Sequence, residues 1–66
     1  MTLNELREVW NTGLTVTVYT YDKDGDYLNL YENDCLEDMS DDYDDYNVEG
    51  IYHTMNGDVI EIHISK

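Results

Sequence analysis

The stretch LTVTVYTYDKDGDYLNLY, residues 14–31, decides the fold. Leu14, Val16 and Val18 alternate with Thr15, Thr17, Tyr19 and Tyr21. A period of two built from β-branched and aromatic residues is the pattern of a strand with one buried face. DKDGD at 22–26 follows, and its Gly25 takes a positive φ without steric cost, so the run reads as a turn. YLNLY at 27–31 resumes the alternation, with Leu28 and Leu30 inward and Tyr27, Asn29 and Tyr31 outward. The three pieces predict a β-hairpin.

Upstream, residues 2–11 (TLNELREVWN) predict a helix. Thr2 followed by Glu5 has the spacing of a capping box, in which each side chain satisfies a backbone N–H of the other residue. Leu3, Leu6 and Trp10 share one helical face with Val9 beside them, and Gly13 is the expected stop. Downstream, the alternation is lost over 33–47, an acidic connection in which Cys35, Leu36 and Met39 stand at helix-like spacing and predict a short helix or turn capping the sheet. VEGIYHT at 48–54 predicts a third strand with a bulge at Gly50. Asn56-Gly57 is a hairpin signal, and the alternation over 58–65 predicts the fourth strand, with Ile60, Ile62 and Ile64 inward and Val59, Glu61 and His63 outward. The expected architecture is α+β in two layers, an N-terminal helix packed on one face of a four-stranded antiparallel sheet. The expected core is Leu3, Leu6, Val9, Trp10, Leu14, Val16, Val18, Leu28, Leu30, Ile51, Ile60, Ile62 and Ile64.

Sixty-six residues make one domain, and 16 acidic against 3 basic residues give it a formal net charge of −13. Direct binding to nucleic acid or to an anionic membrane needs a basic footprint and is excluded on charge. No apolar run reaches the ~18 residues of a membrane-spanning helix. MTLNELREVW carries Glu5 and Glu8 and has neither a basic nor an apolar leader region, so a cytoplasmic protein is expected. The single cysteine, Cys35, excludes an internal disulfide and a multi-cysteine zinc site. Its acidic neighbours raise its pKa and weaken it as a nucleophile.

Catalysis is not expected. His53 and His63 lie on different strands, and a concave site is hard to build in so small a domain. No catalytic residue, metal ligand or cofactor is assigned. Asp22, Asp24 and Asp26 match the first three ligand positions of an EF-hand loop, but Tyr27 stands at position six and Asn33 at position twelve, where the motif needs Gly and Glu. A hairpin turn explains the same residues, and a weak calcium-binding module is kept as an alternative.

The remaining signal is the acidic band. Twelve acids and one Lys lie between Asp22 and Glu49. Strand neighbours two apart are separated by ~6.6 Å, and duplex DNA carries a charge every ~1.7 Å of axis. An ordered carboxylate array around a small sheet therefore offers a DNA-like field to a basic groove; the plain alternative is a solvated face that serves solubility. Seven Tyr and no Phe strengthen the binding reading, because Tyr among carboxylates suits arginine- and lysine-lined surfaces. The expected partner-binding residues are Asp22, Asp24, Asp26, Glu37, Asp38, Asp41, Asp42, Asp44, Asp45, Tyr43, Tyr46, Tyr27 and Tyr31.

In layout and composition, from the helix TLNELREVW to the closing NGDVIEIHI, the chain resembles small acidic bacteriophage proteins, and among them the anti-CRISPR inhibitors that mimic DNA. The resemblance spans the chain but rests on no diagnostic motif, so it transfers no residue roles. It implies an inhibitor acting in a host bacterial cell on a basic DNA-binding protein, a CRISPR effector nuclease first, at the groove where arginines read the motif beside the target. The alternative from a different class is a phage or bacterial accessory protein that forms a homodimer through its Tyr-rich sheet face.

Overall fold

The computed structural model describes residues 1–53 and 59–66. The predicted Asn56-Gly57 turn, and positions 54 and 58 at the expected strand ends, lie outside the described residues. The capping box forms as read: Glu5 N–H donates to Thr2 Oγ1 at 3.3 Å, and Thr2 N–H donates to Glu5 Oε1 at 2.9 Å. It opens helix α1, Leu3–Val9. The other first-turn donors reach distant chain, with Leu3 N–H on the Tyr46 carbonyl at 2.8 Å and Asn4 N–H on the Asp44 carbonyl at 3.0 Å. A helix of two turns is unstable alone, and these bonds moor its start to the segment it packs beside. It ends earlier than expected: Trp10 is already extended, with its N–H on the Arg7 carbonyl, and Gly13 plays no part in the stop.

Four strands follow: β1 Thr15–Tyr21, β2 Tyr27–Asp34, β3 Asn47–His53 and β4 Val59–Ser65. Their order across the sheet is β2-β1-β4-β3. The architecture is the expected α+β sandwich, with one correction. The sheet is mixed, not antiparallel, because the central strands β1 and β4 pair in parallel, from Thr15 opposite Val59 to Tyr19 opposite His63. The β1–β2 and β3–β4 pairs are antiparallel. The cause lies in the acidic connection. It crosses the helix-side face from one edge strand to the other, and a crossover of about a dozen residues is what lets strands run in the same direction.

That crossover belongs to the core. It contains two 3-10 turns, Leu36–Asp38 and Asp41–Tyr43. Leu36 and Met39 point under it and are buried with Leu3, Leu6, Val16, Val18, Ile62 and Ile64, while Cys35 is exposed. Trp10, Leu30 and Ile60 pack at the margin of this cluster. Three expected core residues are surface residues instead: Val9 is 68% exposed, Leu28 46% and Ile51 47%. Leu28 and Ile51 lie on the two edge strands, beyond the cover supplied by α1 and the crossover. Val9 ends a helix too short to wrap a second stripe. Leu14 is half-buried.

Three register shifts set which side chains face which way. The β1–β2 ladder slips by one residue between Val18 and Val16, which pairs with Asp34, and by one more where Asn29 pairs with Tyr19 but Tyr31 pairs with Val18. The slip turns Tyr31 from its expected outer position to the core side, where it packs against the buried cluster and donates its hydroxyl to the Cys35 carbonyl at 2.6 Å. On β3 the register shifts between Val48 and Gly50, as the glycine predicts. The Tyr52 ring folds over that glycine, and a Cβ at position 50 would lie 2.7 Å from Tyr52 Cζ.

Candidate protein-interaction surfaces

Acidic residues gather at both ends of β2. Asp24 and Asp26 stand on the turn that joins β1 to β2, and Asp34, Glu37 and Asp38 stand at the far end of β2, where the crossover begins. Eight residues of strand, ~26 Å, separate the groups, with exposed Glu32 between them. Asp41, Asp42 and Asp45 continue the acidic surface along the crossover and are exposed. The band therefore runs along the β2 edge and over the helix-side face.

Asp22 has an internal role. Its Oδ1 accepts the N–H groups of Asp24 at 2.9 Å and Asp26 at 3.0 Å, while Gly25 N–H donates to the Asp22 carbonyl. Gly25 has φ +82°, and together these features make a type I turn closed by a glycine bulge. The turn thus uses the carboxylate that an EF-hand loop would place on calcium. Among the described residues Asp34, Cys35 and Asp38 offer ligand atoms within 4.8 Å of one another, all exposed. Asp34 already accepts the Cys35 N–H at 2.8 Å. The Cys35 thiol is pushed above its ordinary pKa by desolvation first, then by Glu37, Asp38 and Asp34. It is a poor nucleophile at neutral pH.

Asp44 is also committed internally, through Arg7, the chain's one arginine. Arg7 Nη1 donates to Asp44 Oδ1 at 2.6 Å, the only ion pair among the described residues, with side-chain exposures of 18% and 29%. The same guanidinium donates to the carbonyls of Ser40 at 3.2 Å, Glu37 at 3.4 Å, and Met39. One planar fork from the last turn of α1 therefore satisfies carbonyls that both 3-10 turns leave free. The sequence offered no spacing motif for this clamp; its signal was a lone arginine in a chain of carboxylates.

Tyr43 and Tyr46 meet edge to face at 5.2 Å and pack against the core, and Lys66 Nζ stands 5.7 Å from the Tyr46 ring centroid. They are half-buried rim residues of the acidic face rather than free anchors. Tyr27 belongs elsewhere. On the sheet face opposite α1 it stacks on Tyr19 at 4.9 Å, and Tyr19 stacks on His63 at 5.1 Å. Tyr21 closes on Tyr19 at 5.9 Å and on His63 at 5.0 Å, both edge to face. This cluster buries Tyr19 to 7% exposure and raises its pKa, through desolvation first and then Tyr21, Tyr52, Glu61 and Tyr27. The outward parity of Tyr19, Tyr21, Glu61 and His63 was readable from the alternation. Their convergence was not, because it needs β1 beside β4.

Among the described residues no helix is long and apolar enough to cross a membrane. The chain matches no protein-family model, no curated protein and no solved structure.

Proposed function

We propose that this protein is a stoichiometric inhibitor that presents a DNA-like charge to a basic, DNA-binding partner. The observation that carries the reading is linear charge density. Thirteen net negative charges are distributed along a molecule 33 Å in its longest extent, about one per 2.5 Å. A turn of duplex DNA is ~34 Å long and carries a charge every ~1.7 Å. The crossover part of the array is anchored on the core by the Arg7 clamp and by the buried Leu36 and Met39.

The best-suited target is the DNA groove of a bacterial defence nuclease, and a CRISPR effector in particular, where arginines and lysines otherwise hold DNA phosphates. The protein would then act in the cytoplasm of a phage-infected bacterium and oppose host defence without any chemistry of its own. Titration of a purified CRISPR effector nuclease in a DNA-cleavage assay tests this. The expected result is loss of cleavage at a one-to-one ratio when the protein is added before DNA, with association that slows steeply as salt rises. Undiminished cleavage at several-fold excess rejects that target; inhibition indifferent to salt rejects charge mimicry.

A further inference from the structure

Among the described residues, the sheet face opposite α1 keeps large aromatic side chains exposed and carries five aromatic rings together with one glutamate. Tyr19, at its centre, is held by Tyr21, Tyr27 and His63, while Tyr21, Tyr27 and Tyr52 are 50%, 52% and 53% exposed. Glu61 lies on the same face, opposite Tyr52 on β3 and Thr17 on β1. It has no ion-pair partner among the described residues. At the rim, Tyr27 Oη donates to Asn29 Oδ1 at 2.8 Å, and Asn29 Nδ2 in turn donates to Glu32. Exposed tyrosine rings on a face that also carries an unpaired carboxylate are complementary to a cation that is also flat. A guanidinium stacks on the ring and reaches the carboxylate with its N–H fork, whereas an ammonium does only part of this.

We propose that this aromatic face is a second docking surface, which receives an arginine-bearing segment of the basic partner across Tyr21 and Tyr27 with Glu61 as counter-charge. Charge decides the occupant. Two copies joined through this face would bring −13 against −13, whereas a basic segment gains from both the rings and the field around them. The mutual stacking of Tyr19, Tyr27 and His63 orders the platform before binding, so little side-chain entropy remains to be lost. The proposal rests on the partner being basic, but it assigns recognition to rings on the face away from the crossover.

The test uses two probes, a capped Gly–Arg repeat peptide and its Gly–Lys twin of equal length and charge. Binding is measured by calorimetry, with ring-proton shifts of the tyrosines followed by NMR. The wild type should bind the arginine peptide more tightly than the lysine peptide, and the shifts should concentrate on Tyr21, Tyr27 and Tyr52. Tyr21→Leu and Tyr27→Leu preserve the net charge and should each weaken the arginine peptide about three- to fivefold, the effect of losing one exposed cation–π contact. Glu61→Gln should narrow the preference for arginine. Equal affinity for the two peptides, with ring shifts spread evenly over the molecule, overturns the face while leaving the acidic band as the carrier of binding. Absence of binding to either peptide overturns the basic partner as well. A concentration-dependent dimer in sedimentation, abolished by Tyr21→Leu and not displaced by the arginine peptide, assigns the face to a second copy and also overturns the proposal.

Discussion

Replacing Arg7 with Met isolates the clamp that holds the acidic crossover on the fold. Met retains most of the apolar stem and removes only the guanidinium. An exposed ion pair would be worth ~0–1 kcal/mol. Arg7 differs, because both partners of its pair are largely covered and three carbonyl contacts share the same head group. Hydrogen bonds to a charged group are worth ~1.5–3 kcal/mol each when the partner is left without a substitute. Water can replace the longer bonds to Ser40 and Glu37 and much of the bond to Asp44, which is 29% exposed, so the loss stays near that of one such bond, about 2–3 kcal/mol. A domain of 66 residues has a total stability of ~3–10 kcal/mol. At ~4–8 °C per kcal/mol, Tm should fall by roughly 10–20 °C. The assay is thermal unfolding by circular dichroism, with amide exchange over residues 36–46 as the local readout. Arg7→Lys keeps the charge but loses the fork, and should recover less than half of the loss. A double-mutant cycle with Asp44→Asn gives the pair's own coupling. An Arg7→Met variant melting within ~3 °C of wild type would refute the clamp, since that is the range of an ordinary surface substitution.

Leu36→Ala should destabilise by about 2–5 kcal/mol, as for other fully buried leucines, and chemical denaturation should show it to be as damaging as Leu6→Ala. Added salt at neutral pH should raise Tm, because it screens repulsion within a chain of net charge −13; the check is a melting series in sodium chloride. Thr2 holds the Glu5 carboxyl below its ordinary value of 4.5, so the capping box stabilises the fold above that pH and its contribution disappears as pH falls through the lowered value. Thr2→Ala should remove that dependence in acid titrations of the helix signal. Tyr19, Tyr27 and Tyr31 have pKa values raised by desolvation first. Their neutral forms favour the fold below the ordinary value of 10.0, and this stability is lost as pH rises through the raised values. Tyrosinate absorbance during alkaline titration should accordingly rise late and together with unfolding.

Strand parity made much of the fold legible. Val16, Val18, Ile62 and Ile64 are all fully buried, as the alternation requires, and Thr2 and Glu5 announced the helix start. Periodicity does not show how much cover a strand receives. Leu28 and Ile51 carry inward parity but stand at edge-strand positions left exposed. Nor does it reveal a slipped ladder, which carries Tyr31 to the core side. The parallel pairing of β1 with β4 depends on the path of residues 35–46, where acid density masks the two apolar anchors, Leu36 and Met39. For the acidic surface, residue type was sufficient to propose the set but not to separate the roles within it. Asp22 closes a turn and Asp44 binds Arg7, whereas Asp24, Asp26, Asp41, Asp42 and Asp45 make no side-chain hydrogen bond with the described residues.

That separation allows the most direct measurement of the central claim, that surface charge imitates DNA. Changing Asp24, Asp26, Asp41, Asp42 and Asp45 together to Asn removes five negative charges and leaves both structural carboxylates in place. Competition between this variant and duplex DNA for a purified CRISPR effector nuclease is measured beside the wild type, at several salt concentrations, after circular dichroism has shown the variant to be folded. Charge mimicry predicts that the wild type displaces the duplex stoichiometrically and less well as salt rises, and that the variant loses at least tenfold in competing affinity, with a shallower salt dependence. Displacement by the folded variant equal to that of the wild type would contradict it.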